Sequence, residues 1–257
     1  MSATLWQIPV SHFSEKARWA LERKRIEHER RSPPPPAHIP VALWLTRGAG
    51  HTFPVLVLDG RAIGDSAAII AALEEYRPDP PLYPDDPADR RRALEIEAFF
   101  DAELGPYARA LIFHDLRDSP GGFADFAAPM LPAPVRNTRI GRAAGGALAR
   151  TYTQARFRVA GDEASERARA KVLAALDRLE AELARGDGTH LVGGRFSVAD
   201  LTAAALFGPI VQPPEGPDVG AAPPAAFEEF RATIADRPGY RWVAETFARE
   251  RGDARRP

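Results

Sequence analysis

Thr52-Phe53-Pro54-Val55-Leu56-Val57-Leu58-Asp59-Gly60-Arg61-Ala62-Ile63-Gly64-Asp65-Ser66-Ala67-Ala68-Ile69-Ile70 is the stretch on which the fold of this chain turns. Val55 to Leu58 is a short apolar run behind a proline, and reads as a strand. Asp59-Gly60 is a strong two-residue hairpin signal, because both positions of such a turn need positive φ. Arg61-Ala62-Ile63 is the return strand. Asp65-Ser66 then opens a helix, with Ala68, Ile69, Ala72 and Leu73 on its inner face.

Upstream of this stretch, Leu5 to Val10 reads as a buried strand that ends in a loop signal. Ser11 is the natural N-cap of a helix on which Phe13, Ala17, Ala20, Leu21 and Lys24 recur at three and four residues. A second strand is expected near Ile26 to Arg30. The Pro33–Pro36 run is a polyproline-II loop. Val41 to Leu45 suggests a short apolar helix, ended by Gly48-Ala49-Gly50. No strand precedes that Gly-x-Gly, so it is no dinucleotide loop. The order β-α-β-α-β-β-α describes an α/β sandwich of the thioredoxin type.

Pro78, Pro80, Pro81, Pro84 and Pro87 follow within ten residues. No helix or central strand tolerates that density, so a domain boundary is expected there. The division is residues 1–77, a proline-rich linker over 78–87, and an all-α domain over 88–257. Asp89 to Arg117 is a long helical pattern, interrupted by a kink at Gly105-Pro106. Residues 118–160 mix Gly-Gly, prolines and short apolar runs, and no helix is read there. Ser165 to Arg185 is amphipathic, with Val172, Leu173, Leu176, Leu179 and Leu183 in one stripe. A helix over 198–208, a Pro/Gly-rich loop over 212–224 and short helices near 225–235 and 240–250 complete the chain. Ser197-Val198-Ala199-Asp200 is a capping box, with Phe196 and Leu201 placed as a hydrophobic staple.

Composition narrows the function classes. A net charge of -1 gives no pull toward nucleic acid or an acidic membrane surface. Arg90-Arg91-Arg92 is then a solvated helix face. The chain has no cysteine, which excludes disulfides, thiolate-bound metals and a cysteine nucleophile. Its histidines lack metal-ligand spacing, so no metal site is expected. Leu201 to Val211, the longest apolar stretch, is too short to span a bilayer, and residues 1–10 do not read as a signal peptide. No membrane partner and a cytoplasmic location are expected.

Three short segments carry chemistry. Ser11 at a helix N-terminus sits in positive potential. It can cap the helix and nothing more, or its O–H can donate to a thiolate held above the helix. A free thiol has a pKa of about 8.5, and lowering it by about two units takes about 2.7 kcal/mol. One charge-assisted hydrogen bond with a helix terminus is in that range. Pro54 either starts an edge strand or follows a cis bond that turns the backbone of Phe53 toward Ser11. That backbone could then pair with an extended peptide. Asp65-Ser66 is a plain helix start, or a site for an amino-acid head: carboxylate to the helix and Ser66, ammonium to Asp65.

In this order the segments resemble the glutathione site of the cytosolic glutathione transferases. Residues 1–76 look like that family's N-terminal domain. The helical remainder resembles its C-terminal domain in architecture and at the 197–200 box. The resemblance implies the glutathione transferase fold and an enzyme of that kind. Ser11 would be the catalytic serine of the theta- and zeta-like classes. Phe53 and Pro54 would hold the cysteinyl backbone, Asp65 and Ser66 the γ-glutamyl group, and Arg18 a structural role. Glutathione is the implied co-substrate, a small electrophile the acceptor, and a homodimer the implied assembly. Segment 37–51 departs from the family pattern, and Arg47 and His51 are the candidates for the glycyl carboxylate. Tyr107 and His114, seven apart on one helix, are candidates for the acceptor pocket, with His12. Segments 118–160 and 212–224 look enlarged, so substrate class does not carry over. The alternatives are a non-catalytic protein of this fold and a transferase that uses another low-molecular-weight thiol.

Overall fold

The computed structural model describes residues 2–34, 37–157, 161–218 and 222–252. In chain order the first elements are β1 (Ala3–Trp6), α1 (His12–Arg23), β2 (Glu29–Arg31), α2 (His38–Leu45), β3 (Val55–Leu58), β4 (Arg61–Gly64) and α3 (Ser66–Tyr76). The sheet order is β2-β1-β3-β4, with β1 parallel to β2 and the other pairs antiparallel. Leu5 sits opposite Leu56 across β1 and β3, both fully buried. Asp59 and Gly60 have φ of 46° and 84°, as the two-residue hairpin requires.

Several boundaries differ from the sequence reading. β1 ends at Trp6 rather than Val10, because Gln7 to Pro9 are held by other groups. The Gln7 N–H donates to the Arg31 carbonyl at 2.9 Å, and Arg18 donates to Gln7 Oε1 at 2.6 Å and to the Pro9 carbonyl at 2.9 Å. The inner face of α3 is Ile69, Ile70 and Leu73, whereas Ala68 is exposed. The larger side chains take the core because burial free energy scales with apolar area. Of the Pro33–Pro36 run, residues 35 and 36 lie outside the described residues.

The proline-dense segment 78–87 has no ladder of its own, and neighbouring side chains hold it. The Glu74 carboxylate accepts from the N–H of Leu82 at 3.1 Å and of Tyr83 at 3.3 Å. Lys24 Nζ donates to the Pro78 carbonyl at 3.1 Å.

The second part of the chain is helical: α4 (Pro87–Glu103), α5 (Gly105–Asp118), α6 (Gly122–Ala127), a 3-10 turn (Ala128–Met130), α7 (Ala133–Arg136), α8 (Arg139–Phe157), α9 (Asp162–Arg185), α10 (Val198–Val211), α11 (Ala225–Ile234), α12 (Pro238–Thr246) and a π-helical turn (Phe247–Arg251). The expected kink is a break at Leu104, with Pro106 in the first turn of α5, where its missing N–H costs nothing. The sequence reading has no helix in 118–160, where α6, α7 and α8 lie, and α8 is the longest of them. Gly141, Gly145 and Gly146 weaken its helical signal, yet the packing demands them. A Cβ on Gly146 would lie 2.7 Å from the backbone N of Ala124 in α6, and one on Gly141 would lie 2.2 Å from the Val135 carbonyl. α9 starts three residues earlier than expected, and α10 continues through Pro209 to Val211.

The two halves meet through buried polar contacts as well as one continuous core. Lys16 Nζ, fully buried, lies 2.8 Å from Glu97 Oε1 and 2.7 Å from Asp101 Oδ2, tying α1 to α4. Glu15 bridges Arg18 at 2.7 Å and Arg251 at 2.5 Å, fastening the π-helical turn to α1. In the 197–200 box, Asp200 accepts from the N–H and hydroxyl of Ser197 and the N–H of Leu191, each at 2.8 Å. Burial pushes the Asp200 carboxyl up to about 6, against those hydrogen bonds, which favour its charged form.

Candidate active site

A cavity of about 380 Å³ lies between the thioredoxin-like part and the helices. One wall is built by the loop before α1, the turn into β3 and the start of α3. Ser11, Phe53, Pro54, Asp65 and Ser66 all line it. Arg18 pins the first of these loops through Gln7 and Pro9, so the position of Ser11 depends on a buried ion pair one helical turn away.

Ser11 caps α1 only loosely: its Oγ accepts from the Ser14 N–H at 3.4 Å. Its own O–H donates to no acceptor among the described residues. The Phe53-Pro54 bond is cis. Phe53 is buried against Trp6 and His38, with ring centroids 6.4 and 5.9 Å apart. Its backbone N–H and C=O make no hydrogen bond among the described residues. Asp65 has φ of 72° and ψ of 134°, an uncommon conformation for a residue with a side chain. Oδ1 of Asp65 caps α3, accepting from Ala67 N–H at 2.9 Å and Ala68 N–H at 3.2 Å, and Oδ2 takes part in neither bond. Ser66 is 3% exposed and also lines the cavity.

His12 lines the same cavity but is committed elsewhere. Its Nε2 lies 2.9 Å from the Gly105 carbonyl. A carbonyl only accepts, so Nε2 carries the proton. Burial, with Arg109 nearby, pulls the ring's pKa down to about 3. A neutral histidine held this way is not a base for Ser11.

The remaining candidates stand off the cavity wall. Arg47 is exposed beyond α2 at φ of 54°. His51 is exposed, and its Nε2 lies 3.0 Å from an Arg156 nitrogen, so Arg156 is the group that reaches the cavity. Tyr107 and His114 share a face of α5 with Leu111, which is fully buried in the core. The Tyr107 ring has Lys171 Nζ 5.5 Å from its centroid, and His114 pairs with Asp115 at 3.3 Å. The cavity face of α5 is Arg109, Ile112 and Phe113.

Sequence reasoning missed His38, Arg109, Tyr152 and Arg156, which line the cavity. Tyr152 Oη lies 3.2 Å from His38 Nε2, closing α8 onto α2. Burial, with Arg156 nearby, lowers the pKa of His38. Tyr152 and Arg156 sit in the enlarged segment, on α8, whose glycines weaken the helical signal from which its faces could be read. Among the described residues, no group of three His, Cys, Asp or Glu could hold a metal, and no helix is long and apolar enough to cross a membrane.

Residues 5–81 match the family model for the glutathione S-transferase N-terminal domain, and residues 162–244 match that for the glutathione S-transferase C-terminal domain. The chain is 25% identical over 187 residues to a probable maleylacetoacetate isomerase of Caenorhabditis elegans, covering 73% of this chain and 67% of the relative. A glutathione S-transferase from Xanthobacter autotrophicus has a similar fold, with a TM-score of 0.62 at 20% identity, covering 96% of this chain and 93% of the other. A Methylobacterium radiotolerans glutathione S-transferase solved with glutathione sulfonate has a TM-score of 0.54 at 22% identity, covering 95% of each chain.

Proposed function

Because this chain belongs to the cytosolic glutathione S-transferase superfamily, we propose that it is a glutathione-dependent enzyme in which Ser11 holds the glutathione thiol as a thiolate. The observation that carries this reading is the row of hydrogen-bonding groups along one cavity wall: the Ser11 O–H, the Phe53 backbone, and Ser66 with Oδ2 of Asp65, the oxygen that α3 does not use. Their order suits the cysteinyl sulfur, the cysteinyl backbone and the γ-glutamyl head in turn. The head's carboxylate meets Ser66, since Asp65 Oδ1 already takes the Ala67 and Ala68 N–H groups. Its ammonium meets Asp65. Arg156, with His51 behind it, is the candidate for the glycyl carboxylate.

The chemistry follows from the thiolate. Ser11 donates to sulfur and favours its charged form. The thiol proton passes to solvent. Sulfur then attacks an electrophilic carbon, forming a C–S bond as a leaving group departs or the neighbouring carbon takes a proton. The likeness to a probable maleylacetoacetate isomerase favours a second outcome. There the thiolate adds to a conjugated double bond, the resulting single bond rotates, and the thiolate leaves again. Glutathione is then recovered rather than consumed.

The test is calorimetric titration with glutathione of the wild type and Asp65→Asn. Asparagine keeps an oxygen for the α3 cap and removes only the charge. Binding that the substitution weakens by about tenfold supports the site as drawn. No binding to the wild type removes glutathione from the reading.

A further inference from the structure

Arg109 is a cation set into the cavity wall with no acidic partner among the described residues. Its Nε is buried and makes no hydrogen bond. Its guanidinium carbon lies 4.2 Å from the centroid of Phe157 and 5.9 Å from that of Phe13. Arg156 approaches the same Phe157 ring, with its guanidinium carbon 5.5 Å from the centroid. Burial and Arg156 pull the Arg109 pKa down to about 10. The fully or nearly buried cations elsewhere are treated differently: Lys16, Arg18 and Arg251 each have a carboxylate within 2.8 Å.

A guanidinium has five N–H donors in its plane, and a ring face below it satisfies none of them. Cation–π contact offsets only part of the cost of holding a partly desolvated charge beside a like charge. The helical side of the cavity supplies no carboxylate to offset the cost. Much of that side is apolar, including Ile112, Phe113, Phe126, Leu131 and Leu148. Asp65 is the sole carboxylate on the wall, and it caps α3 in the other domain. An unpaired fork in an apolar wall is complementary to a planar oxyanion on an apolar body, bound bidentately.

We propose that the acceptor substrate is an apolar molecule carrying a carboxylate, which Arg109 takes in its fork. The proposal rests on the glutathione-dependent reading, whose acceptor it names. The carboxylate fixes the orientation of the electrophile and places its carbon skeleton against Ile112, Phe113 and Leu148.

The test is titration of the intact protein with trans-cinnamate and with cinnamamide, its neutral counterpart, and separately with S-methylglutathione. The wild type is expected to bind the acid at least about tenfold more tightly than the amide. Arg109→Met keeps the apolar stem and is expected to abolish that preference while leaving S-methylglutathione affinity within about twofold. Arg109→Lys keeps the charge without the fork and is expected to retain part of the preference. Thermal melts of both variants report whether the fold is intact. Equal binding of acid and amide by the wild type, or no binding of the acid, would overturn the proposal. So would an Arg109→Met protein that keeps the preference or loses S-methylglutathione instead. A wild type that fails to bind S-methylglutathione but shows the Arg109-dependent acid preference removes the glutathione reading and sustains the anion site.

Discussion

His12 Nε2 donates to the Gly105 carbonyl at 2.9 Å, joining the first residue of α1 to the first residue of α5 across the domain boundary. The approach is close enough that a Cβ on Gly105 would lie 2.4 Å from Cζ of Phe13. Ser11 precedes this pair, and Arg109 follows it by one turn of α5. The bond therefore sets the distance between the candidate thiol-binding wall and the helical wall.

The burial of His12 at this junction makes stability depend on acid, and the bond to Gly105 only opposes the effect. Burial, then Arg109, holds the His12 pKa at about 3, against the ordinary histidine value of 6.5. The folded-state value is depressed, so the unfolded chain binds the extra proton between those limits. The contribution is full above pH 6.5 and is lost as pH falls toward 3. At pH 5 the loss is about 2 kcal/mol. Urea midpoints at pH 7 and pH 5 should therefore fall further for the wild type than for His12→Gln, whose amide N–H can replace the donor. Equal falls in the two proteins would place the acid sensitivity elsewhere.

Ser11→Ala should separate capping from chemistry. The cap bond to Ser14 is long, at 3.4 Å, so the stability cost should be under about 1 kcal/mol. Affinity for S-methylglutathione, which has no thiol to hold, should be nearly unchanged. The pKa of bound glutathione, read from thiolate absorbance, should rise by about two units, lowering the thiolate fraction and with it the rate at pH 7 by roughly 25-fold. An unchanged thiol pKa would leave Ser11 as a cap only.

Asp65 does two things that two substitutions divide. Asp65→Asn should weaken glutathione binding by about 1.4 kcal/mol with little change in Tm. Asp65→Ala should do the same and also lose about 1 kcal/mol of stability, since the Ala67 and Ala68 N–H groups lose their acceptor. If Asp65→Asn binds glutathione as the wild type does, the ammonium partner is another group.

Gly146 is where α8 touches the backbone of α6, with the Ala124 N at 2.7 Å from an added Cβ. Gly146→Val should cost about 1–3 kcal/mol by forcing the helices apart. Ala144→Val, on the exposed face of the same helix, should cost only the small propensity difference. Chemical denaturation of the two variants measures both, and similar losses would mean that the close approach contributes nothing.

How much of this was legible depends on the range of the forces. The hairpin at Asp59-Gly60, the caps at Ser11 and Asp65 and the 197–200 box are decided within four residues, and each stands where the sequence places it. Tyr107 and His114 were misjudged because α5 is apolar on two faces. Periodicity could not tell the face carrying Leu111, which enters the core, from the one carrying Ile112 and Phe113, which lines the cavity.

The sequence alone therefore determined the thioredoxin-like part, the division into two parts and the residues of the Ser11 wall, because backbone conformation and capping are written in neighbouring side chains. Tertiary structure decided the opposite wall. Arg109 and Arg156 are 47 positions apart, and a glycine-rich helix brings them to one phenylalanine ring. Glycine weakens the helix locally but permits the close packing that positions it. Where propensity and packing oppose each other, only the assembled chain shows which wins.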